Sequence, residues 1–160
     1  MKKSILILTL AIVFLATGCG SEDVKEPNSS QMVGYENDSN SEISELEDYI
    51  DSIKEQSDSI KASLEKEELT QTEMNIKAQE LCELWDGALN DLWSKVESSL
   101  SEEEVSELLA QQRTWTEDKE KSAKEAGKEF EGGSLYSQVV NMEAAKITEE
   151  RVYELYELLK

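Results

Sequence analysis

The hydrophobic and polar positions along most of this chain repeat with the period of an α-helix. Apolar residues and one serine alternate at three- and four-residue steps: Ile43, Leu46, Ile50, Ile53, Ser57, Ile60 and Leu64. Acidic residues and lysines cover the other positions, so the spacing predicts one long amphipathic helix over residues 42–67. The apolar stripe is narrow. It suits either a helix docked on its own domain or a coiled coil that binds a partner or a second copy of the chain.

Two later helix starts carry capping boxes. Thr70 precedes Glu73 by three residues, and Ser101 precedes Glu104 in the same way. In this motif each side chain bonds a backbone N–H of the other residue, which satisfies donors that a helix start leaves unpaired. In the helix after Thr70, Gly87 indicates close packing, because an interior glycine weakens a helix. The inward residues of this helix are predicted to be Met74, Ala78, Leu81, Trp85, Ala88, Leu92 and Val96.

The next helix is predicted to run from Ser101 to Gly132 and Gly133, which favour the backbone conformation of a helix end. Its inward side is predicted to carry Val105, Leu108, Leu109, Trp115, Ala126 and Phe130, with Gln112, Lys119 and Ser122 beside them. Ser134 is predicted to cap a last helix that begins at Leu135. That helix is predicted to bury Val139, Met142, Val152, Leu155, Tyr156 and Leu159.

No stretch shows the two-residue alternation that is typical of a β-strand. The predicted fold is therefore all-α. It consists of a small antiparallel bundle or hairpin of three helices over residues 69–160, preceded by the long amphipathic helix.

The start of the chain has one short apolar run between basic and small residues. Lys2 and Lys3 precede the apolar residues 5–16, a run too short for a membrane span of about 20 residues. This order is typical of a secretory signal peptide, here residues 1–18. Residues 16–19 resemble a bacterial lipobox, whose cysteine is acylated and becomes the new N-terminus. Cys19 is therefore predicted to carry at least two acyl chains, which suffice for stable anchoring in a membrane.

The segment after Cys19 is polar. Residues 19–41 contain the only proline and many Ser, Asn, Asp and Glu residues, a composition that predicts a disordered tether. The protein is then expected at the cell membrane, lipid-anchored and facing outside the cytoplasm. Because lipidation uses Cys19, Cys82 is the only thiol left and no intramolecular disulfide is expected. Cys82 itself is predicted to be a small buried residue of a helix.

Charge excludes one class of function. The 160 residues include 16 basic and 36 acidic ones, a formal charge of −20. Loss of Lys2 and Lys3 with the signal peptide leaves 14 basic residues against 36 acidic ones, or −22. Such a chain repels phosphate, so nucleic-acid binding is not expected. The acidity is typical either of a well-solvated surface or of a protein that attracts basic partners.

The chain also lacks the residue patterns of catalysis. It has no histidine, no Cys–His or Ser–His arrangement, and no glycine-rich phosphate loop after a strand. We therefore predict that it is not an enzyme. Neither a cofactor nor a metal ion is expected, since metal binding would depend on exposed carboxylates alone.

Several short motifs follow one another in the C-terminal part, at residues 69–75, 88–90, 112–115, 132–134 and 148–151. In this order they resemble the lysozyme inhibitor LprI-like family, over residues 69–159. The resemblance implies a small helical envelope domain, secreted or lipid-anchored, with lysozyme inhibition as its activity. The motif residues, whose role in folding or in binding stays open, are Gln112, Arg113, Trp115, Gly132, Gly133, Ser134 and Arg151.

The chain departs from the pattern of this family at several positions. Members commonly carry cysteines at places that read Lys77, Ala123 and Glu143 here, and an Arg-Asp pair where this chain has Lys119 and Glu120. The resemblance therefore implies the fold more directly than the activity. Trp115 is either a core anchor or an exposed binding aromatic, and Arg113 either pairs with an acid or is exposed.

Two kinds of function remain. The first is a lipid-anchored binding protein that inhibits a basic lysozyme or a related wall hydrolase by protein–protein contact. The second is a structural or accessory envelope lipoprotein whose long helix docks another protein and which inhibits no lysozyme. The region from Leu69 to Lys160 has 21 acidic and 10 basic residues. Its net negative charge is complementary to the positive charge of a basic lysozyme.

Lipidation at Cys19 can be tested by substitution. In Cys19→Ala we expect an unprocessed protein without lipid, because no thiol remains at the end of the signal peptide. Cys82→Ala serves as the control and should be lipidated normally. Mass spectrometry of the N-terminal peptide distinguishes the two, and a lipid on the Cys19→Ala protein would contradict the prediction.

Overall fold

Four α-helices make up most of the described chain. The computed structural model describes the backbone of residues 36–66 and 68–160, and the side chains of residues 41–65 and 68–160. The helices are α1 (Glu36–Lys66), α2 (Gln71–Ser99), α3 (Glu102–Gly127) and α4 (Tyr136–Leu158), with a 3₁₀ turn at Lys128–Phe130. No strand occurs in this part of the chain, which confirms the all-α prediction. Cys19, the predicted signal peptide and residues 19–35 of the predicted tether lie outside the described residues.

Both predicted capping boxes are present. Thr70 N–H donates to Glu73 Oε2 at 2.7 Å, and Glu73 N–H donates to Thr70 Oγ1 at 3.3 Å. Ser101 and Glu104 make the same reciprocal pair at 3.0 and 3.4 Å. The hydrogen bonds from each capping residue lower the pKa of both glutamates. Since the folded-state pKa is the lower one, the caps are intact at neutral pH and are lost only as the pH falls through that value.

The central pair of helices is α2 and α4, which run in the same direction. Gln71 Nε2 donates to Gln138 Oε1 at 2.9 Å near the start of both helices. Further along, the rings of Trp85 and Tyr153 lie 6.0 Å apart. Helices that follow one another in the chain are antiparallel, so α1 and α3 flank this pair in the opposite direction.

The core is built mainly from one face of α2, as the spacing predicted. Ala78, Leu81, Trp85, Ala88, Leu92 and Val96 are all buried. Leu89, which was not predicted, is buried as well. On α4 the predicted residues Val152, Leu155 and Tyr156 are buried together with Ala145. None of the described helices combines the length and the apolar composition needed to cross a membrane.

Helix α1 docks on its own domain. Leu46, Ile50 and Ile53 are buried in the same cluster as the α2 and α4 residues. Ser57, which interrupts the apolar stripe, is fully buried because its Oγ accepts a hydrogen bond from Trp85 Nε1 at 3.1 Å. The stripe is thus occupied within the chain, which favours the docked helix over the coiled coil.

Helix α1 starts earlier than predicted. It begins at Glu36, six residues before the predicted start at Glu42. The reason is compositional, since neither glycine nor proline occurs between Glu36 and the predicted start. The last six residues assigned to the tether therefore belong to the helix.

The end of α3 differs from the prediction. The α-helix ends at Gly127, and one 3₁₀ turn follows before Gly132, which has a φ of 79°. A Cβ at Gly127 would lie 2.6 Å from Val140 Cγ2 and 3.0 Å from Tyr136 Cε2. Helix α4 therefore approaches α3 closely at Gly127, the residue at which α3 ends. Leu109, Ser122, Ala126 and Phe130, which were predicted to face inward, are exposed instead.

Gly87 does not mark a close contact, contrary to the prediction. It lies on the exposed side of α2, and a Cβ there would meet no atom within 4 Å. The sequence suggested tight packing at an interior glycine, but the close approach occurs at Gly127.

The two glycines should respond to alanine in opposite directions. Gly127→Ala is expected to lower the free energy of unfolding by about 1–3 kcal/mol, because the stiff Val140 side chain must move. Gly87→Ala is the matched control and should raise it by about 0.5–1 kcal/mol through helix propensity alone. Urea unfolding followed by circular dichroism measures both. Equal effects of the two substitutions would show that the contact at Gly127 is unimportant.

Candidate functional site

Two of the three motif residues of α3, Gln112 and Trp115, lie on its inner side, toward α4 and α2. Gln112, Trp115 and Lys119 are spaced by three and four residues, and all three side chains are partly buried. Leu108 and Ala123 are buried on the same side. The middle of this helix therefore contacts its neighbours through polar groups rather than through a continuous apolar stripe. The residues of this site are defined here as the α3 polar seam: Asp86, Gln112, Trp115, Lys119, Thr148 and Arg151.

Arg151 joins α4 to α3. Its side chain is buried, with a relative exposure of 9% for the residue. Nε donates to Gln112 Oε1 at 2.9 Å, and Nη1 donates to Glu154 Oε2 at 2.6 Å. Nη2 is buried and has no hydrogen-bond partner among the described residues. Because a buried guanidinium is costly without partners, the Glu154 carboxylate and the Gln112 amide together make this placement tolerable.

Lys119 joins three helices. Its Nζ donates to Asp86 Oδ1 on α2 at 2.9 Å and reaches Thr148 Oγ1 on α4 at 3.5 Å. The hydroxyl of Thr148, which is fully buried, donates to Ala144 O at 2.9 Å. Lys119 stands where the resemblance implies an arginine, and here it supplies a positive charge between two helices.

Trp115 is an intramolecular contact rather than a free aromatic. Its side chain packs against the hydrophobic core. Lys119 Nζ lies 5.1 Å from the ring centroid, a cation–π geometry that also fixes the lysine. Arg113, the neighbouring motif residue, is exposed on the outer side of α3, and no ion pair within the described chain involves it.

The glycine motif forms the turn between the 3₁₀ segment and α4. Gly132 adopts a positive φ of 79°, a conformation that glycine reaches without strain. Ser134 is not the helix cap that the sequence predicted. The capping position is Leu135, which makes no side-chain bond, and the backbone oxygen of Ser134 accepts a hydrogen bond from Asn75 Nδ2 at 3.0 Å. The capping prediction was wrong: α4 begins at Tyr136, one residue later than predicted, and the bond from Asn75 ties the turn to α2.

Cys82 lies beside the α3 polar seam. It is a free cysteine, half-buried on α2, and its Sγ is 3.8 Å from Asp86 Oδ2. Burial, and then the negative charge of Asp86, raise the pKa of this thiol. It is therefore protonated at neutral pH and poorly reactive.

Sequence reasoning gave no role to Asp86 or to Thr148, although a signal was available for Thr148. Thr148 is spaced by three and four residues from Ala145 and Val152, so it falls on the buried stripe of α4. A polar residue on such a stripe needs a partner inside the fold. The identity of that partner depends on the neighbouring helix and cannot be read from periodicity.

The match to a known family agrees with this geometry. A family model described as lysozyme inhibitor LprI matches residues 62–155, more than half of the chain. The chain belongs to the lysozyme inhibitor LprI family. Comparisons with curated proteins and with solved structures give no significant match. The matched residues cover the end of α1, all of α2 and α3, and most of α4.

Membership and geometry together describe a helical domain of an inhibitor family. Four of the motif residues that were singled out, Gln112, Trp115, Gly132 and Arg151, hold helices or the turn in place. Within the described residues, no three Cys, Asp or Glu side chains are grouped so that they could hold a metal ion. The α3 polar seam holds α3 against α2 and α4 and so determines which side of α3 faces outward.

The contribution of the Gln112–Arg151 hydrogen bond to stability can be measured by comparing Gln112 with its exposed neighbour Gln111. Gln112→Ala leaves Arg151 Nε without its acceptor and is expected to lower the free energy of unfolding by about 1–3 kcal/mol. Gln111→Ala, one residue away and exposed, should change it by less than about 0.5 kcal/mol. Gln112→Glu keeps an acceptor and should retain most of the stability. Chemical unfolding measures all three, and a neutral Gln112→Ala would contradict the role of this bond.

Proposed function

We propose that this protein is a lipid-anchored binding protein outside the cytoplasm that inhibits a basic lysozyme or a related wall hydrolase. Inhibition proceeds by protein–protein contact rather than by chemistry. The observation that carries the proposal is the family match over residues 62–155. The N-terminal pattern around Cys19 supports the anchor and the compartment.

Charge supports a basic partner. The region from Leu69 to Lys160 has 21 acidic residues and 10 basic ones. Seven of these ten basic residues form ion pairs within the domain, namely Lys77, Lys119, Lys124, Lys128, Lys146, Arg151 and Lys160. The excess of acids on the surface attracts a basic enzyme and raises the rate of encounter, and salt screens this effect.

The alternative is an accessory envelope lipoprotein without inhibitory activity. The α3 polar seam is compatible with this alternative, because its contacts are accounted for within the fold. The docked position of α1 argues against a long helix that captures a partner through its apolar stripe. Inhibition of wall lysis distinguishes the two functions directly.

The test is a lysis assay with the full-length chain purified in detergent. We expect inhibition of basic c-type or g-type lysozymes at micromolar protein or below, weakening from low to moderate salt because the attraction is electrostatic. A wall hydrolase with a net negative charge is the control and should be inhibited less. If no lysozyme is inhibited and no complex forms at micromolar protein, the accessory function is favoured instead.

A further inference from the structure

The turn between α3 and α4 presents an aromatic side chain between two acids. This α3–α4 loop is defined as residues 128–135. Phe130 keeps 37% of its surface exposed, and its neighbours Glu129 and Glu131 are exposed as well. Lys128, the nearest base in the loop, is paired with Glu125 at 3.0 Å. Neither Glu129 nor Glu131 forms an ion pair within the described part of the chain.

The loop is held in place at both ends. At its start, Gly127 packs against Tyr136 and Val140 of α4. At its end, the Asn75 side chain bonds the backbone oxygen of Ser134. Within it, Glu131 N–H donates to Lys128 O at 3.3 Å and Gly133 N–H donates to Phe130 O at 2.9 Å. A loop ordered in this way loses little conformational entropy when it binds.

The loop also differs from the other exposed apolar positions. Leu109 on α3 and Leu158 at the end of α4 lie at the opposite end of the bundle and are exposed as well. Aromatic residues are favoured in the energetic centres of interfaces, whereas leucine is under-represented there. Ile76, which is 50% exposed, follows the loop-binding residue Asn75 and adds apolar surface at the same end.

We propose that the α3–α4 loop is the surface that contacts the partner, with Phe130 filling an apolar pocket on a positively charged surface. Glu129 and Glu131 then face basic groups at the rim of that pocket. The partner is a basic wall hydrolase, so the inference rests on the proposed function. It adds the contacting residues, which the family match does not identify.

The experiment compares variants of the full-length chain in the same lysis assay. Phe130→Ala is expected to weaken inhibition about tenfold or more, while helicity and thermal stability stay near those of the unsubstituted chain. Leu158→Ala is the matched control, since it removes a more exposed apolar side chain, 52% exposed, from the opposite end. It should leave inhibition unchanged.

A second pair of variants tests the charges without altering packing. Glu129→Gln with Glu131→Gln is expected to slow association about threefold or more at low salt and to reduce its salt dependence. Glu97→Gln with Glu107→Gln removes two exposed acids at the other end and should have a smaller effect. Association rates are measured by surface plasmon resonance with an immobilised basic lysozyme. If Phe130→Ala fails to fold, the association rates of these two double variants still test whether the loop is the contact surface.

The outcomes separate the two proposals. If the unsubstituted chain inhibits and both the Phe130 and the glutamate variants inhibit equally well, the loop is not the contact surface, although the proposed function stands. If the unsubstituted chain neither binds nor inhibits any lysozyme, both proposals are wrong. Selective loss in the loop variants, with the control variants intact, supports the loop as the inhibitory surface.

Discussion

The burial of Trp85 is the constraint around which the helices are arranged. Its ring is fully enclosed, close to Tyr153 of α4, and its one polar atom must find an acceptor inside the core. Ser57 provides that acceptor from α1. The indole therefore sets the register of α1 against α2 as well as filling the centre of the domain. A larger apolar residue at position 57 would add volume but would leave the indole N–H unsatisfied.

The outer helix α3 is held by a different kind of interaction. Few of its side chains are buried, and its central contacts are the Gln112–Arg151 hydrogen bond and the pairing of Lys119 with Asp86. Directional bonds of this kind specify one position of a helix more strictly than apolar packing does, because a slip of one residue would break them. Among the described residues the only cysteine is a free one, so this positioning is achieved without a disulfide.

Much of the fold could be predicted from the sequence, because caps and apolar periodicity are local signals. The boxes at Thr70 and Ser101 and the buried face of α2 were read correctly for that reason. The errors at Gly87, Phe130 and Ser134 have a common cause. Each depends on which neighbouring helix approaches and how closely, and periodicity does not contain that information. The polar partners of the motif residues could not be predicted from the sequence for the same reason.

Because α1 runs antiparallel to α2, the chain enters the domain at one end of the bundle. The 31 residues of α1 span about 46 Å, and its early residues Glu42 and Leu46 lie beside the ends of α2 and α4, whereas its last residues lead into the start of α2. The chain enters the bundle at the end opposite Phe130. The residues that precede Glu36 therefore join the domain at the end opposite the α3–α4 loop, so the point of attachment does not cover the loop.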